Sequence, residues 1–294
     1  MTTARRLGTF LAMAAAIAIA AGAVSPAFAK PKKPKPSTMP PEEVYFLALE
    51  KIAKKKYFGA RQILQEALPR IPPEDRELLP KVQLAIADAF YKDGGLTNYG
   101  EALNAYRNFL TYFPQHEKAP YAQLMVGESL YHQVPAPDRD QTATIKAIDE
   151  LRKVMTGWPG SPEAARAQEV TELCNNRLAE KERLVGYFYQ RRKVWLAALD
   201  RYRRVTEQYP RYTGMSQLLL DLGKVHLAMN QREQAQDAFT RLAARDGSAK
   251  LVRQSEAALK AFDKRREKEG EDLYGDLAEK DKKSQDKKPP DGKP

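Results

Sequence analysis

The chain has 294 residues, of which 49 are Lys or Arg, 38 are Asp or Glu, three are His and one is Cys. A single Cys excludes a disulfide framework, and neither it nor the dispersed His residues show the spacing of metal ligands. Residues 1–40 contain six basic and no acidic residues, which leaves +5 of the formal charge of +11 for the remainder. Nucleic-acid binders usually concentrate positive charge on one face, so this distribution argues against a nucleic-acid partner.

The N-terminus has the layout of a secretory signal peptide. Arg5 and Arg6 precede the apolar run 11–24, and Ala27-Phe28-Ala29 follows as a small-residue cleavage site. The 14-residue run is shorter than the roughly 20 residues that a membrane-spanning helix needs. We therefore expect a cleavable signal peptide over 1–29, with an uncleaved anchor as the alternative. No Cys follows the cleavage site, so the sequence predicts no lipidation there.

Two charged segments flank the centre of the chain. Residues 30–40 form a basic linker of Lys and Pro, for which recurring Pro predicts an extended spacer rather than a helix. Residues 264–294 are dense in mixed charge and poor in large apolar residues, so we expect a short continuation of helix and then mostly disorder.

Between them, residues 41–263 repeat one pattern five times. A small residue is followed by an apolar residue four positions later, by another three positions after that, and in four copies by a Pro five positions beyond. The copies are Ala60, Leu64, Ala67 and Pro72; Ala102, Tyr106, Phe109 and Pro114; Ala147, Leu151, Val154 and Pro159; Ala198, Tyr202, Val205 and Pro210; and Ala235, Phe239 and Leu242 with Gly247.

These offsets put three side chains on one helix face and match the second helix of the tetratricopeptide repeat. One helix pair cannot bury its own apolar stripe, so neighbouring pairs must stack. The sequence predicts an all-α tetratricopeptide-repeat superhelix of about five helix pairs, with a C-terminal capping helix near 248–268. An unrelated helical bundle is the alternative. The copies also differ in length: a polar loop covers 133–142, and one long helix is expected from near Pro162 to Gln190.

Catalytic motifs are not found in the sequence. It shows no Ser-His-Asp arrangement, no Gly-rich phosphate loop after a strand and no HExxH. We therefore predict that the protein is not an enzyme and needs no cofactor or metal. Cys174, within a helical pattern, is interpreted as a small buried hydrophobe, with a reactive thiol as the alternative.

The fourth repeat carries a more specific resemblance. The run Arg177-Leu-Ala-Glu-Lys-Glu182, the aromatics Tyr187 and Tyr189, then Arg192, Trp195, Arg201 and Tyr209-Pro210 resemble the outer-membrane protein assembly factor BamD family. The loop Arg139-Asp-Gln-Thr142 is also similar to that family. The resemblance covers about 41–247.

The resemblance implies a non-catalytic scaffold at the periplasmic face of the outer membrane. Such a scaffold would bind the β-barrel insertase, other subunits of the assembly complex and unfolded outer-membrane proteins, and would reach the membrane through its partners. Arg192, Trp195, Arg201, Arg139 and Asp140 are the implied partner-binding residues. The implied substrate groove lies in the first two repeats, with Tyr45, Tyr57, Tyr91 and Tyr106 as candidates. Each of these aromatics could instead pack between helices.

One feature departs from the family. Its members are normally lipoproteins, whereas Ala29-Lys30 occupies the expected anchor position here. A second function therefore stays open, that of a soluble periplasmic repeat adaptor coordinating cell-envelope or peptidoglycan machinery.

Overall fold

The computed structural model describes residues 35–245 and 249–285, with side chains to Gly270. These residues form eleven α-helices and two short 3-10 turns, at 36–38 and 68–70, and contain no strand. The helices are α1 Pro41–Ala53, α2 Tyr57–Ala67, α3 Leu78–Asp93, α4 Leu96–Tyr112, α5 Ala119–Tyr131, α6 Thr142–Gly157, α7 Pro162–Arg191, α8 Trp195–Gln208, α9 Met215–Ala228, α10 Arg232–Ala244 and α11 Ala249–Gln285.

The first ten helices form five pairs, and α11 packs on the last pair against α9 and α10. Each helix also packs on the next one along the chain, so the pairs stack in sequence order. This arrangement confirms the predicted tetratricopeptide-repeat superhelix with its C-terminal capping helix.

The repeated small and apolar positions form the seam between helices. All fifteen small and apolar positions that define the five copies are buried, for example Ala102, Tyr106 and Phe109 at 0% exposure. The first helices of three pairs bring a glycine against this seam: Gly127 faces Leu151, Gly186 faces Tyr202 and Gly223 faces Phe239. Backbone and side chain can approach this closely only because those glycines have no Cβ.

The turns inside the helix pairs share a backbone device. Lys55, Lys193 and Asn230 adopt positive φ of 57°, 61° and 58° in the first, fourth and fifth pairs. In each of these three turns, the backbone amide of the next residue donates to the carbonyl five residues before that amide, at 2.8 to 3.0 Å. Such a bond satisfies a carbonyl that the end of the helix leaves free. The second pair places Gly94 and Gly95 in the same region of φ.

Helix α7 is the long helix expected from the sequence, with 30 residues. At its start the Ser161 hydroxyl accepts the Ala164 amide at 3.0 Å, and Pro162 occupies the first helical turn. At 1.5 Å per residue the helix is about 45 Å long. Its N-terminal half packs on α5 and α6 and the remainder on α8 and α9. Cys174 lies buried in the first of these contacts, and burial raises the pKa of its thiol to about 12.

Both ends of the chain differ in part from the sequence expectations. The predicted signal peptide and residues 30–34 of the linker lie outside the described residues. Pro36–Thr38 forms a 3-10 turn rather than an extended spacer, because the Arg70 guanidinium donates to the carbonyls of Pro36, Ser37 and Met39 at 2.8 to 3.2 Å. Helix α11 runs to Gln285, well beyond 268, since residues 249–285 contain no Pro to end it. Residues 286–294 lie outside the described part.

Candidate functional site

A groove of about 600 Å³ lies along the first helices of the N-terminal pairs. Helices α1, α3 and α5 form its walls, and the start of α7 closes one side. Its lining residues are Tyr45, Leu49, Ile52, Arg76, Glu77, Lys81, Leu84, Ala85, Asp88, Lys92, His116, Glu117, Lys118, Tyr121 and Glu163. The volume lies in the range of ligand-binding clefts in proteins.

The apolar lining comes mainly from one face of α1 and from α3. Tyr45, Leu49 and Ile52 recur at spacings of four and three residues, which aligns them on the groove side of α1. Leu84 and Ala85 continue the apolar surface on α3. This surface can receive apolar side chains of a bound chain.

One carboxylate, that of Asp88, is held in the groove wall by two tyrosines. The Tyr106 and Tyr121 hydroxyls donate to its Oδ1 at 2.6 and 2.8 Å. Burial, followed by the nearby Asp88 charge, raises the pKa of both phenols, so both remain donors at neutral pH. Within the described residues Oδ2 of Asp88 has no hydrogen-bond partner, which leaves it available to an N–H donor of a ligand.

The rim of the groove carries charges of both signs. Lys81 forms an ion pair with Glu77 at 2.9 Å. The hydrogen bond from Lys81 to Glu77 raises the pKa of this lysine. Arg76, Lys92 and Lys118 form no ion pair with any described residue, and neither do Glu117 and Glu163. The groove therefore combines an apolar wall with unpaired charges, and does not select strongly for one sign of charge.

Of the four tyrosines that the resemblance assigned to a groove, the structure places only Tyr45 on the lining. Tyr57 is half-buried at the start of α2. Tyr91 is half-buried on α3, where its hydroxyl donates to Glu128 at 2.6 Å. Tyr106 is fully buried, so its ring cannot form groove surface; it packs in the core and supports Asp88 from behind.

Sequence reasoning missed Asp88 and Tyr121. Asp88 follows Leu84 by four residues, so the helical spacing could have placed it beside the apolar groove residues. Tyr121 belongs to the next pair, and only the stacking of α5 on α3 brings it to Asp88. That juxtaposition has no local signal in the sequence.

The residues expected to bind the insertase lie around the junction of α7 and α8. The Arg201 guanidinium donates to Glu182 at 2.9 Å, and this hydrogen bond raises the pKa of Arg201. Trp195 is half-buried against the C-terminal core, and the Arg192 guanidinium lies 4.1 Å from the centre of the Phe188 ring. Arg201 uses a single N–H in this bond, so further donors of its guanidinium are free for a partner.

Arg139 and Asp140 lie elsewhere, in the exposed loop between α5 and α6. The Gln141 side chain is buried and donates to the Arg139 carbonyl at 3.1 Å, and Asp140 accepts the Thr142 hydroxyl at 3.0 Å. The loop is thus ordered by its own hydrogen bonds and presents the Arg139 side chain outward.

In the described residues no helix is long and apolar enough to cross a membrane, and no cluster of His, Cys, Asp and Glu could hold a metal ion.

The stacked pairs and the groove on their inner helices define a protein of the tetratricopeptide-repeat class. The family model described as "YfiO: Outer membrane lipoprotein" matches residues 37–242. The chain therefore belongs to the YfiO family, which confirms the resemblance seen in the fourth repeat.

Curated relatives carry the name "Outer membrane protein assembly factor BamD". The protein from Caulobacter vibrioides is 28% identical over 137 residues, 47% of this chain and 45% of the relative. The protein from Rickettsia prowazekii is 27% identical over 156 residues, 53% and 60% of the two chains. The protein from Xylella fastidiosa strain 9a5c is 27% identical over 218 residues, 70% and 73%. The chain thus matches only about half the length of the first two relatives.

Proposed function

We propose that this protein is a non-catalytic scaffold in the assembly of outer-membrane proteins, acting at the periplasmic face of the outer membrane after export. Its family membership and the names of its relatives support the process. The observation that carries the molecular role is the groove, whose apolar wall and unpaired rim charges suit an extended, unfolded polypeptide. We assign unfolded β-barrel proteins to this groove and the insertase to the surface around Arg201, together with the other assembly subunits.

An extended chain matches the groove better than a compact ligand does. Inner helices of stacked repeats form a long concave surface, and extended segments are bound through pockets for side chains and donors for the backbone. Tyr45, Leu49 and Leu84 offer the apolar contacts, while Oδ2 of Asp88 can accept a backbone N–H. A mixture of rim charges would tolerate many sequences, as a general assembly factor requires.

The groove is tested by binding of an unfolded porin, labelled with a fluorophore and diluted from urea. Leu49→Glu places a charge in the apolar wall, and we expect at least tenfold weaker binding, because burying an unpaired charge costs more than about 1.4 kcal/mol. Phe46→Glu is the matched control: Phe46 lies on the same helix, is 65% exposed and does not line the groove. Equal affinities of the two variants would remove the groove from the proposal.

The insertase surface is tested separately, by capture of purified periplasmic domains of the β-barrel insertase. Arg201→Glu removes the free guanidinium donors and sets a second carboxylate opposite Glu182. Arg204→Glu is the control, since Arg204 lies on the same helix and, among the described residues, forms an ion pair only with Asp200 of the preceding turn. We expect capture to be lost in the first variant and retained in the second, with both circular-dichroism spectra unchanged. Equal capture would contradict the role of Arg201.

A further inference from the structure

The outward face of α7 carries an unpartnered stripe that the proposed function does not use. At successive spacings of four, four, three, four and three residues it presents Leu173, Arg177, Lys181, Leu184, Phe188 and Arg191. Such spacing keeps the six side chains on one side of a helix. Glu182, which pairs with Arg201, lies on the opposite side of α7. We call these six residues the α7 stripe.

Large apolar side chains stand exposed on the α7 stripe and in the residues that follow it in the sequence. Leu173 and Phe188 are 45% and 48% exposed, and Val194 and Leu196, in the turn that follows and at the start of α8, are 46% and 71% exposed. A hollow of about 430 Å³ lies among Leu184, Phe188 and their neighbours. Clustered exposed apolar side chains on a folded protein mark an interaction surface.

The charged residues of the α7 stripe itself, Arg177, Lys181 and Arg191, are all positive. Arg177, Lys181, Arg191 and Lys193 form no ion pair with any described residue. The acidic residues of this part of α7 are all engaged: Glu172 with Arg211, Glu180 with Arg183 and Glu182 with Arg201. Glu180 lies beside Arg177 at the edge of the stripe, but Arg183 and Tyr212 hold its carboxylate, so the stripe keeps an excess of positive charge that an anionic partner would complement.

We propose that the α7 stripe docks on an anionic phospholipid surface. Amphipathic helix faces that lie in a bilayer interface combine Leu and Phe with Lys and Arg, whose long stems lie along the apolar layer while the charges reach lipid phosphates. The six stripe residues include no carboxylate or amide that would fix the register of a protein partner. The family's description places its members at a membrane, so such a surface is close at hand.

The charge requirement is tested by sedimentation of the full chain with vesicles of phosphatidylcholine alone or mixed with phosphatidylglycerol. We expect binding to the mixed vesicles that weakens as salt is added. Lys181→Glu combined with Arg191→Glu should lower the partition coefficient by about 30-fold or more, because each lost cation weakens binding by about fivefold. Lys146→Glu combined with Lys260→Glu makes the same change in charge elsewhere and should have little effect.

The apolar requirement is tested by a closely matched pair. Leu196→Ser should lower the partition coefficient by about tenfold, as expected for withholding much of a leucine side chain from the apolar layer. Leu96→Ser is the control, since Leu96 is 70% exposed and also begins a helix, α4. The N-terminal apolar run and Lys/Pro linker are identical in all variants, so differences report on the stripe.

Trp195 provides a direct reading of contact. The chain has two tryptophans, so Trp158→Phe leaves Trp195, beside Leu196, as the single emitter. We expect mixed vesicles with brominated acyl chains to quench this emission, and the Leu196→Ser change to reduce the quenching. Equal binding by stripe and control variants, or an unquenched Trp195 in vesicle-bound protein, would overturn the proposal. Stripe variants that bind vesicles normally but lose capture of the insertase domains would instead assign the stripe to a protein partner.

Discussion

Gly223 tests whether the close crossing of α9 and α10 is set by packing. A Cβ at Gly223 would overlap the Phe239 ring, with two ring carbons at 2.6 and 2.7 Å. Phe239 is 3% exposed and packs within the C-terminal core, so its ring cannot turn out into solvent without losing that packing. Overpacking of this kind costs about 1–3 kcal/mol. Alanine in a helix is better than glycine by about 1 kcal/mol. Because the overlap is severe, we take the upper part of the overpacking range, about 2–3 kcal/mol, and subtract the propensity gain of about 1 kcal/mol. We therefore expect Gly223→Ala to destabilise the protein by about 1–2 kcal/mol.

The same substitution at Gly100, glycine to alanine, should change the stability of the protein in the opposite direction. It lies within α4, and no atom lies within 4 Å of the Cβ that alanine would add. Gly100→Ala should stabilise by about 0.5–1 kcal/mol through helix propensity alone. Thermal unfolding followed by circular dichroism should separate the two variants by about 3 to 12 °C, at about 2–4 °C per kcal/mol. Unfolding temperatures that rise equally in both would refute the claim that Gly223 is required by the crossing.

Two further predictions concern the turns and the pH dependence. Lys193→Gly should raise the free energy of unfolding by about 0.5–1 kcal/mol, because glycine adopts positive φ without the Cβ strain of lysine; a urea titration should show a smaller gain for Asn230→Gly, since Asn tolerates this conformation. Burial raises the pKa of Glu180, but hydrogen bonds from Arg183 and Tyr212 outweigh it and hold the pKa below its ordinary value. Because the folded-state pKa is depressed, stability is lost as the pH falls through it; Glu180→Gln should flatten this loss in acid urea titrations, and parallel pH profiles would contradict the assignment.

The repeat architecture could be predicted because its signal, the spacing of small and apolar residues within one helix, recurs five times in the sequence. Each copy places a small residue and two apolar residues on one helix face, and the helix pairs have to stack to bury those faces. The long α7 followed from an uninterrupted pattern after Pro162. These features depend on spacing within one helix, which is visible in a sequence.

The groove was predicted less well, because it depends on contacts between pairs. Tyr106 occupies a repeated apolar position and is fully buried, whereas Tyr45 lies outside the repeated positions and faces the groove, although the resemblance assigned both to the groove. The pairing of Asp88 with Tyr121 spans 33 residues and has no counterpart in a repeat pattern. The turn at Pro36–Thr38 likewise depends on Arg70, more than 30 residues away.

Because α7 is one continuous helix, it fixes the distance between the groove and the α7 stripe. Glu163, in its first turn, borders the groove, and Arg191 at its end belongs to the stripe. The 28 helical steps from Glu163 to Arg191 correspond to about 42 Å along one unbroken helix. A polypeptide gripped at the near end needs about a dozen extended residues to reach the far end, at about 3.4 Å each. Because α7 is one continuous helix, a segment bound in the groove and a membrane surface docked on the α7 stripe would be held about 42 Å apart.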